Sequence, residues 1–343
     1  MNSATTKYRS SAMHRNVIAF SISYQPENLL ARGLGLEHIR ELLIRLARPI
    51  LRQGASLAYG GHWEVKNDNF TYDLLRLISA EQEDNSHGGM DTSLQIGVLY
   101  NHSPWPRYLA ISRRIEAQWI NACRIVRVTQ QQAGFSQAEI ASDADLQNRT
   151  PRAIFNEAVT LSAMRRLTAT TMFIDIPGAH APEEIPPVKA RILLGGKLSD
   201  FSGFLPGLFE EALVTFESNG PLYILGGFGG AAETLANAIL AEKNKCPEEL
   251  TIEWLASRTP NLAKLLEISR GFAIPPNFRT AGDSLAVLVA FLKRARANPS
   301  GVLNTGLDNE ETRELLTTRN VAVAVKLVRQ GLVKMEKLPR LSA

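Results

Sequence analysis

The sequence predicts an α/β protein with a mostly parallel sheet and helices on both faces. Three observations lead there. Short apolar runs alternate with helix-length periodic segments, glycines close several of those runs, and beyond Cys246 the pattern turns helical without a convincing strand.

NVIAFSIS (16–23) reads as the first strand, rich in Val, Ile and Phe. After a loop with Pro26, Gly33 and Gly35, the residues Leu36, Ile39, Leu43, Leu46 and Ile50 recur every three or four positions, which makes one apolar helical face. Pro49 is expected to kink that helix or open its last turn, and Gly54 to end it. ASLAY (55–59) reads as a short buried strand ending at Gly60 and Gly61, and FTYDLLRLI (70–78) as a helix with Asn69 as N-cap. LQIGVLY (94–100) and RIVRVT (124–129) are the next strands, with a helix around 112–120 between them. The polar stretch 130–150 has two readings, a functional lid or an insertion. A helix from Pro151 to about Ala169 precedes the Pro-rich DIPGAHAPEEIPP (175–187). RILLGG (191–196) is a strand, FLPGLFEEALVTF (204–216) a helix and PLYILGG (221–227) the last strand, with an Ala-rich helix directly after it. Three units follow: a polar tail over 1–15 expected to be disordered, an α/β domain over 16–245, and a helical extension over 246–343 packed on it.

Composition narrows the function classes. Apolar content of 45% and charged content of 21% are those of a soluble globular protein. No run approaches the ~20 apolar residues that a membrane helix needs, so no membrane partner is expected. Cys123 and Cys246, the two cysteines, argue against a disulfide scaffold and fit a cytoplasmic location. The net charge of +4 suits anionic small ligands and argues against nucleic acid. Six histidines without an H-x-x-x-H pair give no metal site, and LLGGKLSD (193–200) has Gly-Gly-Lys without P-loop spacing.

The chemistry concentrates in PLYILGGFGGAAETL. Gly226, Gly227, Gly229 and Gly230 surround Phe228 between a strand and a helix. Backbone N–H groups at a helix start, with no Cβ in the way, meet the requirements of a phosphate cradle. The alternative is a tight turn under close packing. Gly227, Gly229 and Ala232 also fit G-x-G-x-x-A, but after the last strand rather than the first, which argues against an ordinary NAD dehydrogenase. Glu233 in the first helical turn either complements the helix dipole or holds ribose and assists a leaving group. Arg165 and Arg166 are candidate phosphate partners. Adjacent helical residues diverge by ~100°, so at most one faces the site. Trp63 either stacks on a base or packs.

These motifs resemble the SLOG superfamily, the Rossmann-like group that includes LOG-type phosphoribohydrolases annotated "lysine decarboxylase-like". Tyr59-Gly60-Gly61 matches the family's Y-G-G, Leu225 to Glu233 matches P-G-G-x-G-T-x-x-E, and Met164, Arg165 and Arg166 resemble its M-x-x-R-K element. ARILLGGKLSDFSGFLPGLFEEAL and the late segment GLDNEETRELLTTRNVAVAVKLVRQGL are similar to SLOG proteins of bacterial defence and signalling. The resemblance implies a pocket for a nucleotide or NAD-derived ligand without a further cofactor. It also implies a homodimer or higher homo-oligomer, and readout by a separately encoded effector. The implied ligand-binding residues are Tyr59, Gly60, Gly61, Arg166, Gly195, Gly196, Gly226, Gly227, Phe228, Gly229 and Gly230. In the family's enzymatic branch, Glu233 and Arg165 would cleave an N-glycosidic bond. Leu225 replaces the motif's proline and Gly230 its threonine, and loss of that hydroxyl bears on hydrolysis more than on binding.

Overall fold

The computed structural model describes residues 16–64, 69–87, 96–176, 180–243 and 245–337. Among them the strands are β1 (Val17–Ser23), β2 (Ser56–Ala58), β3 (Leu99–Pro104), β4 (Cys123–Val128), β5 (Met172–Ile174), β6 (Glu183–Ile185), β7 (Val188–Gly195) and β8 (Leu222–Leu225). The helices up to Leu240 are α1 (Pro26–Leu30), α2 (Leu36–Arg52), α3 (Phe70–His87), α4 (Arg113–Gln118), α5 (Asp143–Gln147), α6 (Pro151–Leu167), α7 (Gly207–Glu217) and α8 (Gly230–Leu240). Then come α9 (Ile252–Arg258), α10 (Pro260–Ser269), α11 (Ala281–Ala297), α12 (Pro299–Leu303), α13 (Asn309–Thr317) and α14 (Val321–Lys337).

Six strands form one parallel sheet in the order β4-β3-β2-β1-β7-β8. This is a Rossmann-like α/β architecture. The chain winds outward from β1 through β2, β3 and β4, then returns to the other side of β1 with β7 and β8. That reversal leaves a crevice at the carboxyl ends of β1 and β7, where helices on either side no longer fill the space.

Each central strand is buried on both faces, hence its nearly continuous apolar sequence. Ile18, Phe20 and Ile22 of β1 pack with Leu42, Leu43 and Leu46 of α2 and Leu74 and Leu75 of α3. On the other face, Val17 and Ala19 meet Leu161 and Met164 of α6, while Leu193 of β7 joins Phe209 of α7 and Leu235 of α8. The C-terminal helices complete both cores. Leu327 and Val328 of α14 lie in the first, and Leu255, Leu288 and Leu292 of α9 and α11 in the second. The buried Tyr223 hydroxyl of β8 donates to the Thr305 carbonyl at 2.9 Å.

Several boundaries differ from the sequence reading. The helix at 36–52 runs through Pro49 to Arg52, and Gly54 then takes φ 79°. Helix α3 extends past Ile78 to His87, with Asn69 accepting the Thr71 N–H at 2.9 Å. The third strand is shifted towards the C-terminus, to Leu99–Pro104, because Asn101, His102 and Ser103 are buried polar residues that hydropathy alone leaves out of a strand. The Pro-rich segment contributes β6 to a small antiparallel hairpin with β5 that apolar periodicity did not signal. Helix α7 starts at Gly207, after Pro206. The expected tail (1–15) and residues 65–68, 94–95 and 177–179 lie outside the described residues. No described helix is long and apolar enough to cross a membrane.

Sharing of core between the two chain halves predicts one cooperative unfolding transition. Leu288→Ala in α11, at a fully buried position, is expected to cost about 2–5 kcal/mol. Urea unfolding followed by tryptophan fluorescence and by circular dichroism should shift as a single coincident transition.

Candidate ligand-binding site

The crevice at the β1–β7 reversal holds a cavity of about 260 Å³. One wall is the end of β1, Ser21 to Tyr24, and a second is Tyr59, Gly60, Gly61 and His62 after β2. Arg107 and Arg165 lie on a third side. The fourth is the 197–206 connection into α7, with Lys197 and Asp200, followed by Gly207 and Glu211 of the helix itself.

The Tyr59–Gly61 loop is clamped from beneath. Asn101, fully buried in the middle of β3, donates its amide to the carbonyls of Tyr59 and Gly61, both at 3.0 Å. Its own oxygen accepts the Trp63 indole N–H at 2.9 Å, which fixes Trp63 edge-on to Tyr72 rather than in the cavity. A Cβ at Gly61 would overlap the Tyr59 ring. Behind the lining residues Ser21 and Glu211 lies Arg191 of β7, 3% exposed. Its three nitrogens donate to Thr215 (3.0 Å), Ser21 (3.0 Å) and Thr168 (2.8 Å), and Glu211 lies 3.6 Å away. Desolvation pushes the Arg191 pKa down, Glu211 opposes this, and Arg165 adds to it. His102 of β3 is held down to about 4 by burial and by Arg191, so it is neutral at pH 7.

Arg165 enters from α6 as a buried side chain. It pairs with Glu210, which also accepts the Ser162 hydroxyl at 2.7 Å. The Arg165 Nε is buried without a hydrogen-bond partner. Arg166 points away from the cavity and lies near Glu210, Arg279 and Glu217. Of the adjacent pair, one faces the crevice, as the helical angle requires.

The glycine turn sits elsewhere. Gly226–Phe228 form a 3-10 turn and α8 opens at Gly230. A Cβ at Gly226 would overlap the Leu316 carbonyl, and one at Gly227 the Thr318 carbonyl. Gly229 and Gly230 have φ of 84° and 66°, Arg32 lies against the first and the Gly195–Gly196 backbone against the second. The Ala231 N–H donates to the Gly196 carbonyl at 2.9 Å. Gly195 and Gly196, with φ of 69° and 98°, join the end of β7 to this turn. The space beside Gly195, Gly196, Phe228 and Gly230 is about 10 Å³, room for one water. Glu233 is ion-paired with Arg32 from the α1–α2 connection and does not line the cavity.

The structure thus brings Tyr59, Gly60, Gly61 and Arg165 together and leaves Arg166, Gly195, Gly196, Gly226, Gly227, Phe228, Gly229, Gly230 and Glu233 outside the cavity wall. Sequence reasoning missed Arg107, Lys197, Asp200 and Glu211 of the lining, and Arg191 behind it. Lys197 follows Gly195-Gly196 directly, and that Gly-Gly-Lys was the available signal. The stretch 130–150 does not line the cavity either: Gln130 bonds both the N–H (2.9 Å) and the carbonyl (3.0 Å) of Ala141, and Phe135 packs on Phe155. Among the described residues no group of three His, Cys, Asp or Glu side chains could hold a metal ion.

A family model, SLOG cluster2, matches residues 12–315, and the chain belongs to the SLOG superfamily. No curated protein matches it significantly.

Two outcomes follow from this packing. Gly227→Ala should destabilise the fold by about 1–3 kcal/mol through overlap with the Thr318 carbonyl, read by urea denaturation. His102 titrates at about 4 when folded and at about 6.5 in the unfolded chain. The unfolded chain takes the proton first, so the contribution is complete above pH 6.5 and is lost as pH falls towards 4. That loss is roughly 3 kcal/mol, and His102→Gln should flatten the stability curve between those pH values.

Proposed function

We propose that this SLOG protein binds an intact nucleotide or NAD-derived small molecule in the β1–β7 crevice and acts as its sensor. The observation that supports this most is the cavity at the strand-order reversal, where open α/β sheets bind ligands. Its volume, near the low end of the usual ~300–1,000 Å³ range, suits a ligand of mononucleotide size or one part of a larger molecule. Arg107, Arg165 and Lys197, together with Tyr24 and Tyr59 in the same lining, match a ligand with an anionic end and a flat ring. Asp200 and Glu211 can accept hydrogen bonds from hydroxyls.

Binding is favoured over N-glycoside hydrolysis because Glu233, the motif's carboxylate, is engaged by Arg32 and lies off the cavity wall. Gly230, where the motif has threonine, supplies no hydroxyl. Occupancy would be read by a partner protein or through a homo-oligomer, as in signalling and defence systems of this superfamily.

The protein incubated with AMP, cyclic mono- and dinucleotides, NAD and ADP-ribose should retain one of them unchanged by mass spectrometry. At ~100 times its Kd that ligand should add ~2.7 kcal/mol of stability. Release of a free base, abolished by Glu233→Gln, would replace the sensor by a hydrolase. Neither retention nor a thermal shift with any of them would remove the nucleotide reading.

A further inference from the structure

We infer that the anionic group of the ligand is held by Arg107, Arg165 and Lys197 at the start of α7, and not by the glycine turn at 226–230. This rests on the reading that the crevice is the ligand site, and it adds the position of the charge within it.

The glycine turn is poorly suited to an anion in this fold. Carbonyl oxygens of Leu316, Thr317 and Thr318 face Gly226 and Gly227, and those of Gly195 and Gly196 face Gly230. A phosphate there would meet acceptors rather than donors. The Ala231 N–H, a donor of the first α8 turn, is already bonded to Gly196. The nearest guanidinium, Arg32, is neutralised by Glu233. The remaining space of about 10 Å³ accepts a water and no phosphate.

The cavity itself has the opposite character. Arg107 and Lys197 make no hydrogen bond or ion pair among the described residues, and both reach the cavity from the exposed surface. Arg165 is 8% exposed and keeps one N–H without a partner. Its guanidinium packs against the first residue of α7, 3.0 Å from where a Cβ at Gly207 would stand. Helix α7 is eleven residues long and has no side-chain cap; the Phe209 N–H is taken by the Pro206 carbonyl at 2.9 Å, so the Gly207 and Leu208 N–H groups and the positive end of the dipole remain available.

Like charges are also crowded here. Desolvation lowers the Arg107 pKa and Arg165 lowers it further, against a weaker pull from Glu157. Arg107 keeps solvent contact, so its desolvation is that of a concave wall, with less energetic weight than a core position. Arg191 behind the lining feels Arg165 in the same sense. Glu210 offsets Arg165, and Glu211 offsets Arg191. Of the cavity's carboxylates only Asp200 then remains against Arg107 and Lys197. A dianion would satisfy the free donors and relieve the repulsion together.

The test uses inorganic phosphate and the full-length chain. Thermal shift would be read against phosphate concentration, with chloride at matched ionic strength as reference. Phosphate should stabilise the unaltered protein beyond chloride. Arg107→Gln and Lys197→Gln, at solvent-exposed positions compatible with folding, should each weaken the apparent phosphate affinity about ten- to a hundredfold. Arg32→Leu, beside the glycine turn, should leave it unchanged.

No stabilisation beyond chloride, or an effect that survives both cavity substitutions, would overturn the assignment. Loss of the effect in Arg32→Leu alone would move the anion to the glycine turn. In each of those cases, retention of a nucleotide by the unaltered protein keeps the crevice reading and removes only the position of the charge. Failure of phosphate and nucleotides together removes both.

Discussion

Arg191 is the constraint around which the crevice is built. A guanidinium 3% exposed in the middle of a sheet survives only if its donors are satisfied, because an unpaired buried charge costs several kcal/mol. Its partners come from three elements: Ser21 on β1, Thr168 at the C-cap of α6 and Thr215 on α7. One side chain thereby sets how closely α6 and α7 approach the reversal between β1 and β7. The two helices also carry Arg165 and Glu211, which line the cavity, so part of its wall is held in place by the packing around Arg191.

The glycine-rich turn illustrates how a composition can have two physical causes. Four glycines between a strand and a helix satisfy the needs of an anion cradle, and they equally satisfy the needs of close backbone packing. Here the C-terminal segment 316–318 lies so near Gly226 and Gly227 that no Cβ fits. Packing alone therefore requires those two residues to be glycine. Gly229 and Gly230 are required by their positive φ and by Arg32 and Gly195–Gly196 beside them. The turn is the joint between the sheet and the C-terminal helices.

Electrostatic weight follows burial. The Arg32–Glu233 pair is partly exposed, with side chains 17% and 33% accessible, and such pairs contribute ~0–1 kcal/mol. It can be exchanged for other partners at little cost. Arg165, with side chains of 9% and 12% accessibility in its pair with Glu210, is held far more firmly. An immobile cation with a free N–H is better preorganised for a ligand than a mobile ion pair over a packed turn.

The class of fold was legible because its signals are local: strand runs such as Val17–Ser23, the apolar face of α2, and the cap at Asn69 depend on residues within one element. Family membership was legible in Tyr59-Gly60-Gly61 and in the glycine turn, which are contiguous motifs. The shape of the site was not. Arg107 is far in sequence from Arg191, Lys197 and Glu211, the four belong to no shared pattern, and β3 hides its length behind buried Asn101 and His102. The sequence by itself determined a parallel α/β protein with the motifs of the SLOG superfamily, and that at most one arginine of the 165–166 pair could face a common site. Only the tertiary structure decided which wall of the crevice is cationic and that the glycines serve packing. Both depend on contacts between segments distant in sequence, and periodicity describes only a single element.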